Sequence, residues 1–145
     1  MTLAFLLWLA SSLPQPAADQ LCLATTVYLE ARSESTTGQM AVAEVAMRRR
    51  ESGHWGTTVC DVVRAPRQFA MATTNESFVL NNPVAWRKAW TIADRAITIW
   101  SLPINQRHFV VPHADHFVLS DSVSPAWIKG PPLATIGAHN FYRIN

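Results

Sequence analysis

The stretch Met40-Ala41-Val42-Ala43-Glu44-Val45-Ala46-Met47 constrains the fold more than any other part of the chain. It follows Thr36-Thr37-Gly38-Gln39, which has the form of a capping box, and it is apolar on almost every side of a helical period. Such a helix cannot lie on a surface, so other helices must surround it. It runs into Arg48-Arg49-Arg50 and stops near Gly53, a residue suited to the left-handed turn after a helix end. Cations favour the C-terminal end of a helix dipole, so the arginines read as a solvated helix end. A nucleic-acid partner is not expected, because twelve Lys and Arg against ten Asp and Glu leave a formal charge of only +2.

The surrounding helices are legible in turn. Asp19 can cap a helix through Ala31, with Leu21, Thr25, Tyr28 and Leu29 at helical spacing and Glu30 in the last turn. Thr58 to Arg64 reads as a short capped helix that ends before Pro66. Asn82-Pro83 opens another, which continues to Trp100 and places Trp86, Trp90 and Trp100 in the core. His108-Phe109-Val110-Val111 and His116-Phe117-Val118-Leu119, joined by Pro112-His113-Ala114-Asp115, read as a β-hairpin. The expectation is a mostly helical α+β domain with one small hairpin and a cleft between the two parts. At 145 residues there is room for one such domain.

Residues 1–18 stand apart. Leu3 to Leu13 is dense in apolar residues, no charged side chain precedes Asp19, and Pro14 and Pro16 break the pattern before the small pair Ala17-Ala18. This looks like the apolar region of an export signal, and the expected organisation is a signal-like or anchor segment over 1–18 and one domain over 19–145. The destination would be the periplasm or cell envelope, with transient membrane association through the segment. The run is shorter than the roughly 20 residues of a spanning helix. A buried first helix of the domain is the alternative.

Cys22 and Cys60 lack C-x-x-C metal spacing, leaving one disulfide or two buried thiols. Glu30-Ala31-Arg32-Ser33-Glu34 sets two carboxylates four apart where one helical pattern ends and the next begins. Burial, or a like charge alongside, could keep one of them protonated near neutral pH. Glutamate pairs at this spacing are also common on solvated helix ends.

Three blocks change the weighing. Leu21 through Glu34, then Gly38-Gln39-Met40-Ala41-Val42-Ala43-Glu44-Val45, then Thr58-Val59-Cys60-Asp61-Val62-Val63 with Gln68-Phe69, closely resemble the SleB-like cell-wall hydrolase family of spore-cortex-lytic enzymes. The similarity resumes at His116-Phe117 and Val123-Ser124-Pro125-Ala126-Trp127 and ends on Ile136 to Arg143. It departs at Ser33, Arg48 and Val118, where the family usually has Gly, Asn and a second His. The resemblance implies a compact lysozyme-related fold, peptidoglycan glycan strands as substrate and no cofactor. It makes Glu30 the catalytic residue and Glu34 its companion. Gln68, Phe69, His116, Trp127 and Tyr142 become candidate sugar contacts, Cys22 and Cys60 a structural pair, and a monomer is expected.

The reaction expected is lytic transglycosylation between N-acetylmuramic acid and N-acetylglucosamine. A hydrolytic muramidase would need a second carboxylate, for which Glu34, Glu44 and Asp61 are candidates. A zinc-dependent amidase is more distant, since His113, His116 and His139 are loosely spaced and no metal site is expected. A non-catalytic peptidoglycan-binding module is the non-enzymatic alternative.

Overall fold

A computed structural model describes residues 1–122 and 124–145; Val123 of the Val123-to-Trp127 block lies outside the described residues. Six α-helices come first: α1 Leu3–Ser12, α2 Ala17–Ala31, α3 Thr36–Ser52, α4 Val59–Arg64, α5 Ala70–Thr73 and α6 Pro83–Ser101. A 3-10 turn at Ile104–Gln106 leads into the strands β1 His116–Leu119, β2 Ala134–Ile136 and β3 His139–Tyr142. The mostly helical α+β class is therefore as expected.

Helix α3 is the buried helix that its sequence requires, with Ala41 to Met47 wholly inside. Its cap lies one residue earlier than the capping box suggested. The Ser35 hydroxyl accepts from Gly38 N–H, and the Gln39 side-chain amide donates instead to the Ala31 carbonyl at 3.0 Å. That bond ties the end of α2, one residue past Glu30, to the start of α3. Gly53 closes α3 with φ +76°, as expected.

Asp19 does not cap α2. It lies inside that helix, buried, and its carboxylate accepts from Val59 N–H at 2.9 Å and Cys60 N–H at 3.3 Å at the start of α4. Beside it Cys22 and Cys60 form a disulfide, so α2 and α4 are joined covalently and by hydrogen bonds at one place.

The expected hairpin is only half right. His108 to Val111 is not a strand, because Glu44 of α3 takes its amides: Val110 N–H and Val111 N–H both donate to that carboxylate. Once claimed by a buried side chain, those donors cannot join a ladder. Strand β1 pairs antiparallel with β3, which also pairs with β2, giving the order β1-β3-β2. The β2–β3 connection is the two-residue turn Gly137-Ala138, with Gly137 at φ +55°.

The arginines are not a solvated end either. Arg48 lies over the Trp100 and Phe109 rings and donates to the Ala114 carbonyl, Arg49 is buried, and Arg50 faces Asp19 at 3.5 Å. Trp100 is core as expected, whereas Trp90 is 39% exposed in a groove between α1 and α6.

Residues 1–18 fold onto the helical body. Leu3 and Leu6 are fully buried, and Leu3 N–H donates to the Phe78 carbonyl while Leu80 N–H donates to that of Met1. Among the described residues, no helix is long and apolar enough to cross a membrane. Burying a leucine side chain is worth about 1.5–3 kcal/mol, offset by the entropy of ordering the segment. A chain starting at Asp19 is expected to keep a cooperative thermal transition, at a lower midpoint. Complete loss of the transition in calorimetry would make α1 indispensable to the core.

Candidate active site

Glu30 sits in the last turn of α2, at the edge of a hollow of about 230 Å³ that Arg32, Glu34, Leu119, Ala138 and His139 also line. The helical body thus supplies one wall and the sheet the other. The Glu30 carboxylate accepts a hydrogen bond from Ala70 N–H, the first amide of α5. Burial raises its pKa above the ordinary 4.5, against the opposing pull of the Ala70 bond and the Arg49 charge. A carboxyl group held towards its protonated form in a cleft is poised to give a proton away.

Arg49 is a buried charged neighbour of Glu30 that the sequence did not reveal. Its Nε donates to the Asp115 carbonyl at 2.8 Å and its Nη1 to Gln68 Oε1 at 3.0 Å. The guanidinium is stacked between Trp55 and Phe69, at 4.5 and 4.9 Å from the ring centroids. Burial lowers its pKa to about 10, which leaves it a cation near neutral pH. The one available signal was an arginine on the continuation of an all-round apolar helix, where its neighbours had to be buried.

Glu34 lines the same hollow as Glu30, but its carboxylate is engaged. Oε1 accepts from Ala138 N–H at 2.8 Å and lies 3.3 Å from His139 Nδ1, whose ring is buried. Desolvation lowers the His139 pKa, with the Glu34 charge opposing. Glu34 therefore clasps the β2–β3 turn to the helical body, and the rise in the Glu30 pKa comes from burial rather than from a like charge at Glu34.

The clasp leaves no room for a side chain at residue 137. A Cβ there would lie 2.4 Å from Glu34 Oε1, on a backbone of positive φ. Gly137→Ala is expected to cost about 1–2 kcal/mol from backbone strain alone, and more from the displaced carboxylate. Glu34→Gln, which preserves the shape and an acceptor for the Ala138 amide, should destabilise far less than Gly137→Ala. Melting curves check both.

The other expected contacts divide into exposed and buried. His116 Nδ1 is 2.8 Å from Asp115 Oδ1, and its ring packs against Trp55 and, at 4.9 Å between centroids, Trp127. Trp127 is 36% exposed and meets Tyr142 edge-on. Gln68 is exposed and holds Arg49. Phe69 and Tyr142 are buried: Phe69 lies under the Arg49 guanidinium and against Phe117, and Tyr142 lies behind Trp127. His116, Trp127, Gln68 and Arg49 line one pocket of about 390 Å³. Among the described residues, no three His, Cys, Asp or Glu side chains converge as a metal-binding set.

Known proteins share the sequence pattern and the fold. A family model described as Cell Wall Hydrolase covers residues 33–142. Spore cortex-lytic enzymes from Bacillus cereus and Oceanobacillus iheyensis are each 32% identical over 126 residues, 86% of this chain. The chain spans less than half of those relatives, 44% and 41% of their length. The catalytic domain of the germination-specific lytic transglycosylase SleB from Bacillus anthracis superposes with a TM-score of 0.69 at 27% identity, covering 90% of this chain and all of that one. The catalytic domain of the Bacillus cereus SleB protein gives 0.67 at 24% identity, over 92% of this chain and 97% of that one, a likeness of fold. With its family match spanning most of the domain and its fold shared with these catalytic domains, the chain belongs to the cell wall hydrolase family.

Proposed function

We propose that this protein is a lytic transglycosylase that cleaves the β-1,4 bond between N-acetylmuramic acid and N-acetylglucosamine in peptidoglycan, with Glu30 as acid and then base. The observation that carries the reading is the contrast between Glu30 and the other candidate carboxylates. Glu30 is held protonated-leaning at the cleft edge, Glu34 is occupied by Ala138 N–H and His139, and Glu44 is 1% exposed and binds the Val110 and Val111 amides. Asp61 lies on α4, lining a separate hollow beside Cys60 and Arg64. Glu34 and Glu44 are engaged and Asp61 faces another hollow, so none of the three stands ready to activate a water opposite Glu30, as an inverting hydrolase requires.

In the proposed reaction Glu30 protonates the bridging oxygen, and the bond from that oxygen to muramoyl C1 breaks with oxocarbenium character. The carboxylate left behind takes the proton of the muramoyl C6 hydroxyl as that oxygen bonds to C1. Glu30 ends protonated, no water is consumed, and the products are a free 4-hydroxyl and a 1,6-anhydro-muramoyl end. The Arg49 cation beside Glu30 suits the ionised half of the cycle.

The relatives' printed names, spore cortex-lytic enzyme and lytic transglycosylase, support the substrate and the reaction class. The Cys22–Cys60 disulfide supports an oxidising compartment such as the envelope, and N-terminal sequencing of exported protein tests whether segment 1–18, packed on the body through Leu3 and Leu6, is retained. Mass spectrometry of muropeptides released from purified sacculi tests the reaction. Products lighter by one water than reducing-end muropeptides support transglycosylation. Reducing ends indicate a muramidase, free stem peptides an amidase, and no release a binding module.

A further inference from the structure

The pocket beside Arg49 carries an unusual charge balance. Arg67 and Arg49 both line it, with Trp55, Gln68, His116 and Trp127 around them and no carboxylate among its described lining residues. Arg49 Nε and Nη1 are already bonded, whereas its Nη2 makes no hydrogen bond among the described residues. The Arg67 guanidinium makes no hydrogen bond or ion pair there, and the residue is exposed.

The backbone adds a second observation. Arg67 has φ +62°, a region that favours glycine, and it is one of two such non-glycine residues in the described chain. No local hydrogen bond of its side chain accounts for that conformation. Strained backbone that the fold retains gathers where a side chain is being aimed at a ligand. Here the strain sits between Pro66 and Gln68 and brings a second guanidinium to a pocket that already holds one.

The pocket's neighbour identifies the chemistry. The Arg49 guanidinium stacks on Phe69, and the next residue, Ala70, donates its N–H to the Glu30 carboxylate, so the pocket adjoins the group proposed to protonate the bridging oxygen at muramoyl C1. A glycan strand is uncharged except at the muramoyl substituent, which carries either a free lactyl carboxylate or the carboxylates of a peptide stem. We infer that this pocket is a carboxylate subsite, in which Arg67 and Arg49 hold the acidic muramoyl substituent while Trp127 packs against the adjoining sugar. Naming the muramoyl substituent rests on the proposed function, whereas the affinity for a carboxylate does not. His116, its Nδ1 held by Asp115, presents Nε2 as a further polar group on the same wall.

The test uses three soluble glycan strands: one with peptide stems, one stripped of stems to leave lactyl carboxylates, and one stripped and converted to neutral lactyl methylamides. Equilibrium binding is measured with the Glu30→Gln protein, which prevents turnover. A charge-assisted contact predicts that a carboxylate strand binds about ten-fold or more tighter than the neutral one. The tighter of the two carboxylate strands identifies the source of the anion. Adding Arg67→Gly, which relieves the backbone, should collapse that difference to about three-fold or less, and added salt should narrow it.

Equal affinity for all three strands would overturn the subsite, as would an Arg67→Gly loss that is the same on every strand. Parallel digestion by the wild-type protein separates the two conclusions. A charge-dependent affinity without cleavage of any strand keeps the subsite and removes the reading of the reaction. Cleavage of all three at equal rates and affinities does the reverse.

Discussion

Glu30→Gln is expected to abolish release of muropeptides from sacculi, with a loss at or beyond the upper end of the roughly 10² to 10⁴ typical of a missing general acid. The amide keeps the shape and can still meet its neighbours, but it has no proton to transfer and cannot later accept one. The pH profile supplies an independent signature. Because burial raises the Glu30 pKa above 4.5, the acid form persists above the usual carboxylate range, and activity should fall as pH rises through that raised value. The melting temperature should move by only a few degrees, since a partly exposed Glu to Gln change seldom exceeds about 1 kcal/mol. A Glu30→Gln protein with more than about a tenth of wild-type activity would remove Glu30 from the role, because loss of general acid catalysis typically costs about 10² or more.

The largest effect on stability is expected from the disulfide. Cys22 and Cys60 are 38 residues apart in sequence, and on the chain-entropy model closing a loop of that length is worth about 3 to 4 kcal/mol. Replacing both by alanine should lower the melting midpoint by about 10 °C in a domain of this size. Asp19 would still hold the Val59 and Cys60 amides, so α4 should remain docked and the variant should fold at room temperature. Thiol titration of denatured, unreduced wild-type protein should find no free sulfhydryl. Two titratable thiols, or a midpoint unchanged in the alanine variant, would contradict the bridge.

Helices were legible in the sequence because their signals are local. Asn82 caps α6, Thr58 caps α4 and Gly53 ends α3 through contacts with residues three or four positions away. The errors that changed the architecture involve polar side chains with distant partners. Asp19 has the composition of an α2 cap yet caps α4 some forty residues later, and Glu44 looks like a stray charge in a core helix yet claims the amides of Val110 and Val111. That second contact is what displaced the hairpin. The same limit governs the candidate site: Glu30 was found through a motif, whereas Arg49 and Arg67 depend on a stacking sandwich and a backbone angle that spacing does not encode.

The cleft has walls from opposite ends of the chain, Leu29 to Glu34 on one side and Leu119, Ala138 and His139 on the other. During synthesis these walls do not appear together. Synthesis runs from the N-terminus, and every α-helix described, the disulfide cysteines and Glu30 itself precede residue 102. A nascent chain at that length has the carboxyl group but nothing facing it, and Glu34 has no turn to hold. The cleft is thus completed only by the last quarter of the chain, and the Glu34 clasp can close only once the β2–β3 turn has been made.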